Sequence, residues 1–183
     1  RGLGDVYKRQ SQARFNRFDS RIGLGEAGTI TLNGGELVIG DETLTTRLAA
    51  TPSVFSGKLT GASGTLRKIG AGTTTLTHED SDFGGTVNVD AGTLSVGLRT
   101  LQNAMLTLAP GATLLTPSSG ESLAIGALHG AFDFAPGTGS LVLGGNKPRF
   151  ASFGGHLSLE GTLRKIGAST QHFTNGADLG LSL

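Results

Sequence analysis

The residues most able to carry chemistry lie in one short segment, His78-Glu79-Asp80-Ser81-Asp82. Its carboxylates and imidazole could bind Ca²⁺, because hard cations take several oxygen ligands from one loop. Glu79, Asp80 and Asp82 could also act as the acids of a polysaccharide lyase or hydrolase. The spacing matches neither an EF-hand loop nor a Gly-Gly-x-Gly-x-Asp calcium repeat. An ordinary surface loop is therefore favoured over a metal or catalytic site.

The other ionisable residues give weaker signals. Arg67-Lys68 and Arg164-Lys165 could form a ladder that binds a polyanion, but they lie 97 positions apart. We favour charges that face solvent or a turn, with the stem of Lys68 covering the edge of the strands before Gly70. The histidines lack the His-x-x-x-His spacing of a zinc site, and no Gly-x-Ser-x-Gly motif occurs. We predict no catalytic residues, no cofactor and no enzymatic activity.

Composition limits the class of protein further. The chain has 183 residues with 31 Gly, 9 Phe, no Cys and no Trp. Leu, Ile, Val and Phe make up roughly a quarter of it, enough to bury a core. The lack of Cys excludes disulfides, thiolate zinc sites and Cys nucleophiles. No apolar run approaches the roughly 20 residues of a membrane-spanning helix, so we predict no direct membrane span.

The formal net charge of +1 comes from the N-terminal segment. Residues 1–21 are left unassigned, and Asp5-Val6-Tyr7-Lys8-Arg9-Gln10 is interpreted as a sequencing-adapter scar. From residue 22 onward, acidic side chains exceed basic ones by three, so we expect no nucleic-acid partner. The chain starts at Arg1 without Met and ends within strand-like alternation. Both ends are predicted to be cut.

An internal repeat is the main sequence signal. Gly64–Gly70 reads Gly-Thr-Leu-Arg-Lys-Ile-Gly and recurs unchanged at Gly161–Gly167. We place repeat units near 53–97 and 150–175, within a single domain over 22–183.

Short strands are predicted throughout that domain. Segments such as Thr86–Val89 and Thr93–Val96 alternate apolar residues with Thr, Ser or Asn, and Asp90-Ala91-Gly92 lies between them as a turn. Many short strands suit a sandwich, a barrel or a solenoid. The lack of Trp argues against a sandwich, and short strands poor in aromatics argue against an outer-membrane barrel. We predict an all-β parallel β-solenoid of about seven or eight coils with little or no helix.

The repeat resembles the autotransporter-associated β-strand repeat of bacterial autotransporter passenger domains, which use type V secretion. Ser63–Thr77 reads Ser-Gly-Thr-Leu-Arg-Lys-Ile-Gly-Ala-Gly-Thr-Thr-Thr-Leu-Thr, and Gly84–Gly97 reads Gly-Gly-Thr-Val-Asn-Val-Asp-Ala-Gly-Thr-Leu-Ser-Val-Gly. The second copy departs from the phrase after Gly167, so its coil is expected to be degenerate. The structural positions that match the repeat are Gly64, Leu66, Lys68, Gly70, Gly72, Leu76, Gly85, Val87, Gly92, Leu94, Gly161, Leu163, Lys165 and Gly167.

The resemblance implies a right-handed parallel β-helix that is exported through the outer membrane and is surface-exposed or secreted. It implies a fragment of a passenger stalk, joined in the same polypeptide to a C-terminal translocator barrel. Partners would be host-surface or matrix molecules or glycans, bound by adhesive loops. Two alternatives stay open: a β-helical protein that binds or cleaves polysaccharide with its acidic loop, and a binding face made of outward Thr and Ser rows.

Overall fold

The computed structural model describes residues 29–39, 53–117, 120–136, 140–145, 150–159, 161–174 and 178–181. Side-chain burial is described for these residues except 29–39, 53 and 178–181. All of the secondary-structure elements in this part of the chain are β-strands. The predicted adapter scar lies outside the described residues.

The strands are short, and among those in the described ranges only β1, β3 and β8 exceed six residues. In chain order they are β1 (Thr29–Ile39), β2 (Ser53–Phe55), β3 (Lys58–Lys68), β4 (Thr73–Leu76), β5 (Asp82–Phe83), β6 (Thr86–Val89), β7 (Thr93–Val96), β8 (Leu101–Leu108), β9 (Thr113–Leu115), β10 (Leu123–Leu128), β11 (Leu141–Leu143), β12 (Phe150–Phe153), β13 (His156–Leu159), β14 (Leu163–Lys165), β15 (Thr170–Phe173) and β16 (Asp178–Leu181).

The strands stack in parallel, coil upon coil. The main sheet has the order β1-β3-β6-β8-β10-β11-β14, with β5 also beside β3, and a second sheet has the order β2-β4-β7-β9. Two further pairs, β12-β15 and β13-β16, extend the stack. All of the named strand pairs are parallel. The prediction of an all-β parallel β-solenoid is therefore confirmed.

The described residues make fewer coils than the seven or eight predicted for the chain as a whole. The described residues make about six turns, and the ladder from β1 to β14 accordingly has six steps. The prediction of seven or eight came from dividing the whole chain by a coil length of about 20 to 25 residues. The described ladder begins at Thr29, and residues 1–28 lie outside the described part of the chain.

The core is built from columns of apolar side chains that repeat at one position in successive coils. Leu66, Val87 and Leu106 form one such column, and each is at most 2% exposed. The strands β4, β6 and β7 alternate half-buried and buried residues, as the period-2 pattern predicts. Removing apolar surface from water stabilises the fold by roughly 25 cal/mol per Å². Burial of these columns between successive coils therefore stabilises the stack.

Phenylalanine side chains form a column in the core of the C-terminal half. Phe132 and Phe153 have ring centroids 5.0 Å apart, and Phe153 and Phe173 have centroids 6.2 Å apart. Both pairs meet edge to face, the arrangement that the ring quadrupoles prefer. Successive coils are thus joined by an aromatic column where Leu and Val serve elsewhere.

Glycine is required where coils approach each other at the corners. Gly92 has a φ of +69°, and a Cβ atom there would lie 2.5 Å from the carbonyl oxygen of Gly70 in the preceding coil. A side chain at position 85 would clash in the same way, since a Cβ atom at Gly85 would lie 2.4 Å from the carbonyl oxygen of Gly64. Any larger residue would push neighbouring coils apart.

Candidate functional site

The acidic loop is anchored by Ser81, which is 1% exposed. The Ser81 hydroxyl accepts a hydrogen bond from the backbone N–H of Leu59 at 3.1 Å and donates one to the carbonyl of His78 at 2.9 Å. The carbonyl of Ser81 accepts a hydrogen bond from the Gln102 side chain at 3.3 Å. Since Leu59 and Gln102 belong to the coils on either side, the loop is tied to both neighbours.

The three carboxylates of the loop do not converge. Glu79, Asp80 and Asp82 are all exposed, and Asp82 Oδ1 accepts a hydrogen bond from Asn103 Nδ2 at 2.7 Å. Within the described ranges, no group of three or more His, Asp or Glu side chains is arranged to hold a metal ion. The loop therefore presents separate charges on the surface of the solenoid.

Lys68 lies inside the solenoid, and its ammonium group binds the corner carbonyls. It is 0% exposed and shares the inward side of its strand with Leu66. Its Nζ donates to the carbonyls of Ile69 and Gly70 at 2.7 Å each, and to that of Ala91 in the next coil at 3.0 Å. Of the two positions predicted for this charge, solvent or turn, the structure shows the turn for Lys68. The ammonium stays buried because the corner supplies three oxygen acceptors.

Lys165 repeats only part of this arrangement. Its Nζ donates to the carbonyls of Ile166 at 2.6 Å and Gly167 at 3.4 Å, and its side chain is exposed. Arg67 pairs with Asp90 of the next coil, while Arg164 is exposed. The strands that carry the two Arg-Lys pairs are five steps apart in the main sheet, so they cannot form one continuous basic ladder.

The remaining repeat positions divide between core and corners. Leu66, Leu76, Val87 and Leu94 are buried, and Leu163 is partly buried against the same core. Corner glycines with positive φ are Gly64, Gly70, Gly92 and Gly167. The carbonyl of Gly72 accepts a hydrogen bond from Thr93, Gly85 sits against Gly64, and Gly161 is half-buried.

Gln171 is a structural residue that the sequence did not reveal. Its carboxamide accepts a hydrogen bond from the N–H of Leu128 and donates one to the carbonyl of Leu128, both at 2.9 Å. The residue beneath it in the ladder is Ala151, which is 0% exposed and is small enough to let the longer side chain pass. The side chain thus replaces a strand beside Leu128. Strand parity could have placed Gln171 inward, but nothing in the sequence indicated its acceptor.

Hydroxyl side chains form a regular array on the four-stranded sheet. Thr73, Thr93 and Thr113 occupy one row of strand partners, and Thr75 and Ser95 occupy the next row. They alternate with the buried residues of the same strands and are half-buried or exposed. Strand spacing places neighbouring members of a row about 4.8 Å apart.

Comparison with known families gives a match within the solenoid. Residues 66–96 match the family model described as Passenger-associated-transport-repeat, and they run from the second half of β3 to the end of β7. No curated protein and no solved structure gives a significant match. Among the described residues, no helix has the length and apolarity needed to cross a membrane.

The matched segment and the parallel β-solenoid together identify an autotransporter passenger repeat within a stack of similar coils. The resemblance seen at Ser63–Gly97 is confirmed over the matched range. Such a repeat indicates a structural module of a passenger, and the family implies export to the cell surface.

Proposed function

We propose that this chain is a passenger stalk that holds adhesive surfaces, or a more distal domain, away from the bacterial cell. One observation carries the proposal. The segment that matches the passenger repeat, residues 66–96, is a coil in register with the coils on either side. A continuous stack of that kind supplies length and stiffness, which are the properties a stalk requires.

The physical character of the fold supports export. The stability of a solenoid is approximately the sum of terms for each coil and each coil–coil interface. Such a chain can fold from one end while the rest is still crossing the membrane. The lack of Cys also prevents disulfides from forming early in an oxidising periplasm.

The adhesive part of the proposal rests on the outer face of the four-stranded sheet. The rows formed by Thr73, Thr93 and Thr113, and by Thr75 and Ser95, present hydroxyl groups at regular spacing. Hydroxyls donate and accept hydrogen bonds, which suits them to glycans or other hydroxyl-rich surfaces of a host or matrix. The exposed carboxylates of the acidic loop would limit binding to partners that are not strongly anionic.

Surface display tests the proposal that the chain is an exported passenger stalk. The full chain is placed between a signal sequence and a translocator barrel, and intact cells are treated with protease. We expect the chain to be cleaved on intact cells, while a periplasmic marker survives. Retention of the chain inside cells that export an unrelated passenger through the same barrel would refute the proposal.

Binding assays test the adhesive role and the enzymatic alternative together. The purified chain is applied to panels of glycans and matrix proteins, with Thr93→Val as a variant that removes one hydroxyl and keeps the shape. Weaker binding by this variant would support the hydroxyl face. Glycan cleavage that disappears when Glu79, Asp80 and Asp82 are all changed to Ala would instead favour a polysaccharide-cleaving protein.

A further inference from the structure

One row of side chains on the outer face of the four-stranded sheet has an apolar residue at each end. In register, Val54 lies beside Thr75, and Thr75 lies beside Ser95. Ser95 lies in turn beside Leu115. Val54 is 51% exposed and Leu115 is 53% exposed. Among the described residues, the row therefore presents two hydroxyl groups between two exposed apolar side chains.

The hydroxyl groups of this face take no part in the hydrogen bonding of the described structure. Elsewhere, Thr100, Thr116 and Thr174 donate their hydroxyls to backbone carbonyls. The hydroxyls of the face belong to Thr73, Thr75, Thr93, Ser95 and Thr113. Within the described part of the chain, none of these five makes a hydrogen bond to another protein group. Because they bind water instead, they can exchange it for the hydroxyls of a ligand at little net cost.

The face is also uncharged, since its two rows consist of Thr, Ser, Val and Leu. A charged ligand would lose hydration there without gaining an ionic partner. The row from Val54 to Leu115 has four members, and its three strand steps of about 4.8 Å give it a length of about 14 Å. A sugar residue in an extended β-linked chain advances by nearly the same distance as one strand step. Such a sugar has apolar C–H faces and a rim of hydroxyls, which matches the two kinds of side chain in the row.

We propose that this face binds an extended, uncharged, β-linked polysaccharide whose chain runs along the row from Val54 to Leu115. One sugar residue lies over each strand of the sheet. The C–H faces of the outer sugars pack on Val54 and Leu115, and the sugar hydroxyls exchange hydrogen bonds with Thr75 and Ser95. The inference rests on the proposed adhesive role, to which it adds a class of ligand and the direction in which the ligand lies.

The test measures binding of the full chain to cello-oligosaccharides of two to six glucose units by calorimetry. Malto-oligosaccharides of the same lengths are the α-linked comparison, and oligomannuronates are the charged β-linked comparison. We expect the affinity for cello-oligosaccharides to rise up to about four units, one for each strand, and then to level off. Both comparison series should bind more weakly at every length.

Two variants test the contacts of the row. Thr75→Val removes one hydroxyl and keeps the shape, so it should weaken binding of the four-unit probe about five-fold. Leu115→Ser removes one apolar contact and should weaken it about three-fold. Thr86→Val is the matched control, because Thr86 is half-buried on a strand of the main sheet. It should leave the affinity unchanged. Urea unfolding of each variant confirms that the sheet is intact.

Several results would overturn the inference, and they are distinct from failure of the proposed function. A chain that is displayed on cells but binds no cello-oligosaccharide would remain a stalk without this ligand. Affinity that does not depend on length, or equal affinity for the α-linked series, would exclude an extended chain along the row. Glycan binding that neither Thr75→Val nor Leu115→Ser changes would keep the adhesive role but move it to another face. Binding of a matrix protein that Thr75→Val weakens, without oligosaccharide binding, would make a protein the occupant.

Discussion

Replacing Lys68 with Met would test whether the buried ammonium joins successive coils. Methionine keeps an unbranched apolar stem in the core column but removes the donor to Ile69, Gly70 and Ala91. Since Ala91 belongs to the following coil, the substitution should weaken both the corner itself and the contact between the coils.

The expected magnitude follows from two opposing effects. Hydrogen bonds from a charged group contribute about 1.5–3 kcal/mol each, and Lys68 donates three of them to the carbonyls of Ile69, Gly70 and Ala91. Releasing a buried charge recovers several kcal/mol, and water can reach the half-buried acceptor residues. We therefore expect Lys68→Met to lower the free energy of unfolding by about 2 kcal/mol.

Lys165→Met is the matched control, because it changes the same position of the same seven-residue motif. Its side chain is exposed, and among the described residues its ammonium binds the two carbonyls of its own corner. We expect a loss below about 0.5 kcal/mol, as is usual for surface substitutions. Urea unfolding compares the two variants. Native-state hydrogen exchange at Asp90, whose N–H donates to the carbonyl of Lys68, then locates the effect, which matters because repeat arrays can unfold in parts.

Equal and small losses in the two variants would refute the reasoning, since burial and the third acceptor would then contribute nothing. A stable Lys68→Met protein with unchanged exchange at Asp90 would show that the corner carbonyls find other donors at little cost.

Three further substitutions test the corners and the anchors. Gly92→Ala should cost about 2 kcal/mol or more, because positive φ adds about 1–2 kcal/mol of strain and the new Cβ meets the carbonyl of Gly70; Gly111→Ala has the same φ strain but open space around its Cβ, so its loss in urea unfolding should be smaller. Gln171→Ala should cost about 2–3 kcal/mol, since it leaves the N–H and carbonyl of Leu128 without this partner, and exchange at Leu128 should accelerate. Ser81→Ala should cost about 1–2 kcal/mol by removing the acceptor of Leu59, and protease should then cut the acidic loop faster, with Ser95→Ala as the surface control.

For each of these predictions, a specific result would contradict it. Equal losses at Gly92 and Gly111 would show that the close approach of the coils does not matter. Unchanged exchange at Leu128 would show that the Gln171 carboxamide is not its main partner. Equal rates of loop cleavage in the Ser81 and Ser95 variants would remove the anchoring role of Ser81.

Local pattern was sufficient to predict the class of fold. The alternation in Thr86–Val89 and Thr93–Val96 predicted half-buried strands, and both are observed with that burial. The turn residues Asp90-Ala91-Gly92 separate them as expected. Period and turn chemistry are properties of a few consecutive residues, and a solenoid is built almost entirely from such local units and their nearest neighbours. The sequence could therefore be read one coil at a time.

The burial and the hydrogen-bond partners of the site residues were harder to predict, because they depend on other coils. Lys68 and Lys165 have identical flanking sequences, yet one is buried and the other is exposed. The Lys68 ammonium also donates to the carbonyl of Ala91 in the following coil. The sequence predicted a charge facing solvent or the turn at Lys68, and the structure places the ammonium at the turn, buried among its carbonyls. Gln171 and its acceptor Leu128 are 43 positions apart, beyond the reach of any local pattern.

Sequence by itself determined the strands, the turns, the parallel stacking and the passenger repeat, since each depends on residue type and period within a coil or between copies of one motif. Tertiary structure alone decided which charges are buried, which coil edges are covered, and how Ser81 and Gln171 anchor their neighbours. These properties depend on which backbone groups meet across coils, because a buried ammonium or carboxamide is stable only where oxygen and N–H partners surround it.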